Sequence, residues 1–462
     1  MKKLVIITLL LVFSWNLSIK AQANASTPNI IIIFTDDQGY QDVGVFGSPL
    51  IKTPNLDKMA SEGIKFTNFY SASSICSPSR AALLTGAYPQ RIGVPEVLWP
   101  NIAGGLSSEE TTIADMLKTK NYATACIGKW HLGDEAQYLP TQQGFDFYYG
   151  IPFSNDMSVN PKAKVNKNVV FREGMTIDSL RQKKWRKSRV PLFQQDEIVE
   201  YPVDQSTLSK RYTQQAVNFI SEHKEEPFFL YLAHSMPHVP LFASENFKGK
   251  SARGLYGDVI EEIDWGVGEI LKTLENLNID KNTLVIFTSD NGPWTSKGDK
   301  GGSALPLRGG KFLTYEGGMR VPMIAKWSGK IKKGTVTHEV ASTIDFLPTI
   351  AHVTDANLPE KEIDGKNIWK LLSGKKSKSP HKKEGFYYYK ESTLEAVRKG
   401  DWKLRITEKD GVQLFHLEKD ISEKNNVASQ HPKIVKKLRS MMEEFDNELQ
   451  QNKRNQDHLL KK

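Results

Sequence analysis

Four short apolar runs, each ending in polar chemistry, constrain this chain more than any other feature. They read NIIIIFT at Asn29–Thr35, YATACI at Tyr122–Ile127, FFLYLA at Phe228–Ala233 and TLVIFTS at Thr283–Ser289. Near-continuous apolar runs of this length suit strands covered on both faces, as in a parallel sheet. Helical spacing lies between them, at Thr53–Gly63, Glu110–Thr119, Leu208–His223 and Tyr256–Leu277. Strand alternating with helix predicts an α/β fold, a large and mostly parallel sheet sandwiched by helices. Open sheets of that kind bind ligands beyond the carboxyl ends of their strands. The residues just past the runs are therefore the ones to watch: Asp36-Asp37, Gly128-Lys129-Trp130-His131, His234 with His238, and Asp290-Asn291.

Beyond about Leu358 the pattern changes. Strand-like pieces at Gly385–Tyr389 and Trp402–Ile406 precede a helical stretch, His431–Leu449. This predicts a catalytic domain over 26–358 and a small C-terminal subdomain over 359–450, an antiparallel sheet with a packing helix. A polar tail, 451–462, reads as loose. The opening residues read differently again. Lys2 and Lys3 precede an apolar run to about Ile19, and Ala21, Ala23 and Ala25 offer small-residue cleavage sites. That is the pattern of a secretory signal peptide over 1–25. The run is short of the ~20 residues a membrane span requires, so the mature protein is expected to be secreted or periplasmic, with no membrane anchor.

Net charge is +9, and the excess is uneven. Lys162–Arg189 carries ten Lys or Arg against Glu173 and Asp178, and Lys375, Lys376, Lys378, Lys382 and Lys383 form a second cluster. Basic surfaces attract polyanions, although a solvated loop explains them equally. No nucleic-acid module is present, neither zinc-finger spacing nor an RNP pattern.

Three groups of residues carry chemistry. Asp36, Asp37, Asp290 and Asn291 offer oxygen ligands without sulfur or imidazole, a set suited to Ca²⁺ or Mg²⁺ rather than Zn²⁺. Taken singly, each pair is also a good turn sequence. Arg80, Lys129, His131, His238 and Lys311 form a set of cations and imidazoles that a tetrahedral anion would need. His223 and His352 read as structural. SICSPSRAALLTG at Ser74–Gly86 reads as a helix N-terminus bearing a thiol, with Ser77 or Ser79 as the cap and Pro78 in the first turn. A helix N-terminus favours an anion or an oxygenated side chain. The competing reading of Cys76 is a disulfide with Cys126, the only other cysteine. Gly309-Gly310-Lys311 is not a phosphate-binding loop, because Leu305 and Phe312 occupy its required Gly and Ser/Thr positions.

The motifs together resemble those of the type I, formylglycine-dependent sulfatases of the alkaline phosphatase superfamily. The residues that carry the resemblance are CSPSR at Cys76–Arg80, DDQG at Asp36–Gly39, GKWHLG at Gly128–Gly133 and GIPFS ending at Ser154. HSMPHVP at His234–Pro240, TSDNG at Thr288–Gly292, LRGGK at Leu307–Lys311 and EGGMRVP at Glu316–Pro322 complete the series. The resemblance covers about residues 27 to 430 and implies an alkaline-phosphatase-like fold. It implies that a formylglycine-generating maturation enzyme converts Cys76 to an aldehyde, held by Arg80. One calcium ion, in preference to magnesium, would sit on Asp36, Asp37, Asp290 and Asn291 beside residue 76. Lys129, His131, Ser154, His238 and Lys311 would surround the sulfate. The expected activity is hydrolysis of a sulfated polysaccharide or oligosaccharide. The stretches HSMPHVPLF and RGLYGDVIEEIDWGVG are similar to arylsulfatase A and galactosamine-6-sulfatase sequences, which points to a galactose- or N-acetylgalactosamine-type sulfate. Two alternatives stay open, a phosphatase or phosphodiesterase of the same superfamily and a non-catalytic binder of sulfated glycans.

Overall fold

The computed structural model describes residues 27–100, 104–375 and 377–454. Residues 1–26, which include the signal peptide read from the sequence, lie outside the described residues, as does the end of the tail from 455. An eleven-stranded sheet spans the large domain. The four apolar runs are neighbours at its centre, in the order Thr283–Ser289, Asn29–Thr35, Phe228–Ala233, Ala123–Lys129, and all pair in parallel. Phe147–Ile151 adds a fifth parallel strand. Antiparallel neighbours appear only outward from there, Met323–Lys326 on one side and Leu192–Gln194 on the other.

The two faces are built by alternation along the strands. Ile30, Ile32 and Phe34 join one core with the helices Cys76–Thr85, Ile113–Lys118 and Phe346–Thr354. Ile31 and Ile33 join the opposite core with Pro54–Glu62, Leu208–Glu222 and Leu255–Asn276. Both faces of each central strand are fully covered, which is why these strands show no polar alternation in sequence.

The second apolar run differs from its reading in one respect. The strand continues through Gly128 and Lys129, which the pattern leaves to the following loop. Gly128 has φ +113°, and a Cβ there would stand 1.8 Å from the Ala233 carbonyl oxygen. A glycine that interrupts the pattern in fact permits close backbone approach within the sheet.

The C-terminal sheet has four antiparallel strands, Phe386–Lys390, Thr393–Lys399, Trp402–Thr407 and Gly411–His416. Two of these, Thr393–Lys399 and Gly411–His416, are not evident in the sequence, because charged and polar residues break their apolar runs. The helix Pro432–Gln451 packs its Leu438, Met442 and Leu449 against this sheet, in a core that also holds Tyr70, Tyr88 and Met319 of the large domain. The segment between behaves differently, since Ile368, Leu371 and Leu372 lie in the large-sheet core.

Candidate functional site

Strand pairing delivers the acidic residues to one spot. Thr35 lies opposite Ser289, so the next residues on each strand, Asp36 and Asp290, emerge side by side. The Asp290 amide donates to the Thr35 carbonyl at 3.0 Å, and the Asp37 amide donates to Asp290 Oδ1 at 3.0 Å. Asp37 holds φ +66°, a left-handed conformation uncommon for a non-glycine residue and frequent at functional sites.

Cys76 opens the helix Cys76–Thr85 and is 2% exposed. Its N-cap is Ile75, which offers no side-chain cap, so neither Ser77 nor Ser79 caps this helix. Ser77 Oγ instead accepts from the Leu98 amide. Ligand atoms of Asp36, Asp37, Cys76 and Asp290 all lie within 4.8 Å of one another. Cys76 Sγ is 3.4 Å from Asp36 Oδ1 and 3.2 Å from Lys311 Nζ. Cys76 and Cys126 are both free thiols, with Cys126 in the sheet core, so no disulfide joins them. Burial pushes the Cys76 thiol upward, which keeps it protonated and a poor nucleophile as encoded.

Cations enclose this acidic centre. Arg80, fully buried, donates through Nε (3.1 Å) and Nη2 (2.8 Å) to Asp290 Oδ2 and through Nη1 (2.9 Å) to the Lys129 carbonyl. Lys129 Nζ donates to Asp36 Oδ2 at 2.7 Å and to Ser154 Oγ at 3.3 Å. Lys311 Nζ stands 2.7 Å from Asp37 Oδ1. Burial would raise the Asp36 carboxyl, yet Lys129, His238, Arg80 and Lys311 override it and hold Asp36 well below the usual range. Asp290 goes the other way. Burial and the neighbouring Asp36 charge raise it to about 7.

The two histidines are held differently. His131, at φ +63°, sets Nε2 3.1 Å from the Leu98 carbonyl. A carbonyl only accepts, so Nε2 carries the hydrogen and Nδ1 presents its lone pair. That Nδ1 is buried without a partner. Burial, with Lys129 and Arg80, keeps the ring neutral. His238 Nδ1 faces the Val239 carbonyl at 2.7 Å and Asn155 Oδ1 at 3.0 Å. Burial and Lys311 lower its basicity. Burial lowers Lys311 too, but Asp37, with Asp36 behind it, outweighs it and raises Lys311 overall, so it stays charged.

The donor set fits a hard divalent cation. Three carboxylates and one amide converge, two of the carboxylates repel each other, and Asn291 Oδ1 is a buried acceptor with no partner. Its Nδ2 donates to Asp37 Oδ1 at 2.7 Å, which places this amide against the carboxylate cluster.

The sulfatase family model matches residues 28–356, and the model for the C-terminal region of N-sulphoglucosamine sulphohydrolase matches residues 310–451. The chain belongs to the sulfatase family. It is a type I sulfatase of the alkaline phosphatase superfamily, and a sulfuric ester hydrolase. Among its relatives, human arylsulfatase A is 41% identical over 79% of this chain and 71% of its own length. Mouse N-acetylgalactosamine-6-sulfatase is 39% identical over 86% of this chain and 75% of its own. A solved structure described as Ps i-CgsB in complex with k-i-k-neocarrahexaose superposes with a TM-score of 0.78 at 34% identity, covering 91% of this chain and 93% of that one.

The sulfatase thus brings every site residue read from its sequence into one cluster. His234 stays outside it, with its ring 6.4 Å from Tyr212 on the helix side. Sequence reasoning missed three contributors. Asn155 fixes His238 and follows directly on Ser154. The Leu98 carbonyl sets the tautomer of His131, a backbone role that leaves no mark in sequence. Trp294, four residues beyond Asp290, lies 5.0 Å from Lys311 Nζ and 5.6 Å from the His238 ring, at the mouth of the site. Among the described residues, no helix is long and apolar enough to cross a membrane.

Proposed function

We propose that this sulfatase removes sulfate from a sulfated carbohydrate, with Cys76 matured to Cα-formylglycine as the nucleophile. The observation that carries this reading is residue 76 itself. It opens a helix, it is buried where its thiol stays protonated, and it touches both an acidic cluster and Lys311. The Sγ atom marks the place that the aldehyde oxygens take after maturation. Asp36, Asp37, Asp290 and Asn291 would hold a calcium ion, which when bound supplies Lewis-acid polarisation of the sulfate and of the attacking oxygen.

The chain's own groups supply the proton transfers. The hydrated aldehyde is a gem-diol. One hydroxyl attacks sulfur, the bond from sulfur to the ester oxygen breaks, and the alcohol leaves with a proton. Lys311 is the group that holds one. His238 is neutral at pH 7, whereas Lys311 stays charged. At 3.2 Å from residue 76, Lys311 also recovers the proton that the attacking hydroxyl gives up. The second hydroxyl then loses its proton to the open Nδ1 of His131, the carbon–oxygen bond to sulfate breaks, and the aldehyde returns. Lys129, with Ser154 and His238, orients the sulfate oxygens.

Two relatives are named for arylsulfatase and N-acetylgalactosamine-6-sulfatase activity, and one structural neighbour holds a neocarrahexaose. These support a galactose- or N-acetylgalactosamine-type sulfate as substrate. The leader-like residues 1–25 support export to the periplasm or medium. Mass spectrometry of the peptide bearing residue 76, in protein from its natural host, tests the nucleophile. The expected mass is that of the aldehyde or its hydrate, and an unmodified thiol in fully active protein would refute it. Sulfate and phosphate esters assayed side by side test the reaction, with sulfate preferred.

A further inference from the structure

Two exposed tryptophans meet on the surface, each on a segment fastened to this site. Trp99 is 46% exposed and Trp185 is 50% exposed, and their ring centroids lie 6.2 Å apart. They come from distant segments of the chain, and each is tied to a wall of the active site. Trp99 follows Leu98, whose carbonyl holds His131 and whose amide is held by Ser77, the neighbour of residue 76. Trp185 precedes Arg186, whose amide donates to Ser158 Oγ at 3.2 Å, and the Ser188 amide donates to the Asp156 carbonyl at 3.1 Å. Gln205 Nε2 fastens the same loop to Asn155 by bridging the carbonyls of Ser188 and Asn155. Asn155 in turn sets His238, and Ser154 adjoins Lys129. The indole pair therefore spans the His131 wall and the Ser154–Asn155 wall.

The exposed charge beside Trp185 is basic, while Glu96, three residues before Trp99, is an exposed carboxylate. Lys183, Lys184 and Lys187 flank Trp185, all are exposed, and none forms an ion pair among the described residues. The nearby Glu173 is already taken by Arg189 at 2.9 Å. Large exposed aromatic surface marks a binding site more often than chance packing. Indole faces bind the C–H faces of sugar rings, and unpaired ammonium groups bind sulfate or carboxylate. None of these residues is needed for the chemistry at residue 76.

We propose that Trp99 and Trp185, with Lys183, Lys184 and Lys187, form a subsite for an anionic sugar residue adjacent to the one whose ester is cleaved. The subsite rests on the reading of the site as a carbohydrate sulfatase and makes the enzyme one that prefers an oligomer over a monosaccharide. Its three lysines belong to the basic 162–189 segment, which the catalytic chemistry leaves unexplained.

The test uses the full protein and two probes, 4-nitrophenyl sulfate and a hexasaccharide of sulfated galactose. Trp185→Ala, and separately Lys183→Ala with Lys184→Ala, should lower kcat/KM for the hexasaccharide about tenfold through KM, with kcat unchanged. Turnover of 4-nitrophenyl sulfate should stay within twofold, and Trp185→Phe should recover much of the loss. Unchanged hexasaccharide kinetics, or an equal fall on both probes, overturns the subsite. Should the wild-type protein hydrolyse neither probe, the reading of the site fails instead, and calorimetric titration with the hexasaccharide still decides. Weaker binding by Trp185→Ala than by wild type upholds the subsite, and equal binding or none by the wild type overturns it.

Discussion

Replacing Arg80 by lysine keeps the charge and removes the geometry. The guanidinium makes three bonds to two acceptors on different strands, two to Asp290 Oδ2 and one to the Lys129 carbonyl, with no exposed surface. An ammonium on a flexible stem cannot reproduce that fork. If lysine keeps one bond, two are lost, at about 1.5–3 kcal/mol each for bonds involving a charge. The expected cost is about 3–6 kcal/mol. With an unfolding entropy near 2 cal/mol/K per residue, a protein of this size loses roughly 1 °C per kcal/mol. Differential scanning fluorimetry should therefore show Tm lowered by roughly 3–6 °C, with loss of 4-nitrophenyl sulfate turnover. A second variant separates geometry from charge. Arg80→Met strands the Asp290 carboxylate beside Asp36, and removing one partner of a buried pair costs about 3–5 kcal/mol. In alkaline buffer, where the stranded carboxyl ionises, adding Asp290→Asn to Arg80→Met should raise Tm again, because that charge is gone. A lysine variant melting within about 1 °C of wild type, or a double variant less stable than Arg80→Met alone, would refute this account.

The same geometry makes three further outcomes testable. Cys76→Ser, made in a host that does not oxidise serine, should lose nearly all turnover while melting close to wild type, since only one buried atom changes; retained turnover would exclude an aldehyde nucleophile. Calcium at a hundred times its Kd should stabilise the wild type by about 2.7 kcal/mol, a rise of roughly 3 °C, and this rise should vanish in Asp290→Asn; an identical rise in both would remove Asp290 from the ligands. His381 is buried against Asp345, with Nε2 2.9 Å from Oδ2. Burial alone would lower its pKa, but Asp345 outweighs it and raises it. The stabilisation is thus complete below the unfolded value near 6.5 and declines as pH rises through the higher folded value. His381→Gln should flatten the fall in Tm across that window, and an unaltered pH profile would show that the pair contributes nothing.

The sequence alone determined the central sheet and pointed to the residues that the fold gathers into one cluster. Four apolar runs are readable as buried strands because both of their faces are covered, so hydrophobicity is continuous and local. The motif residues are readable because they directly follow those runs. The strands Thr393–Lys399 and Gly411–His416, whose apolar residues are interrupted by polar ones, carry no such signal, and neither does the strand character of Gly128-Lys129, which depends on glycine's fit against Ala233. Only the tertiary structure decided the protonation pattern. Which carboxylate is held ionised, which histidine nitrogen is left open and which cation keeps its proton depend on distances between residues far apart in the chain, such as Lys311 and residue 76. It likewise decided that Trp99 and Trp185 meet. Electrostatic energy and ring contact fall off within a few ångströms, and separation along the chain does not encode separation in space.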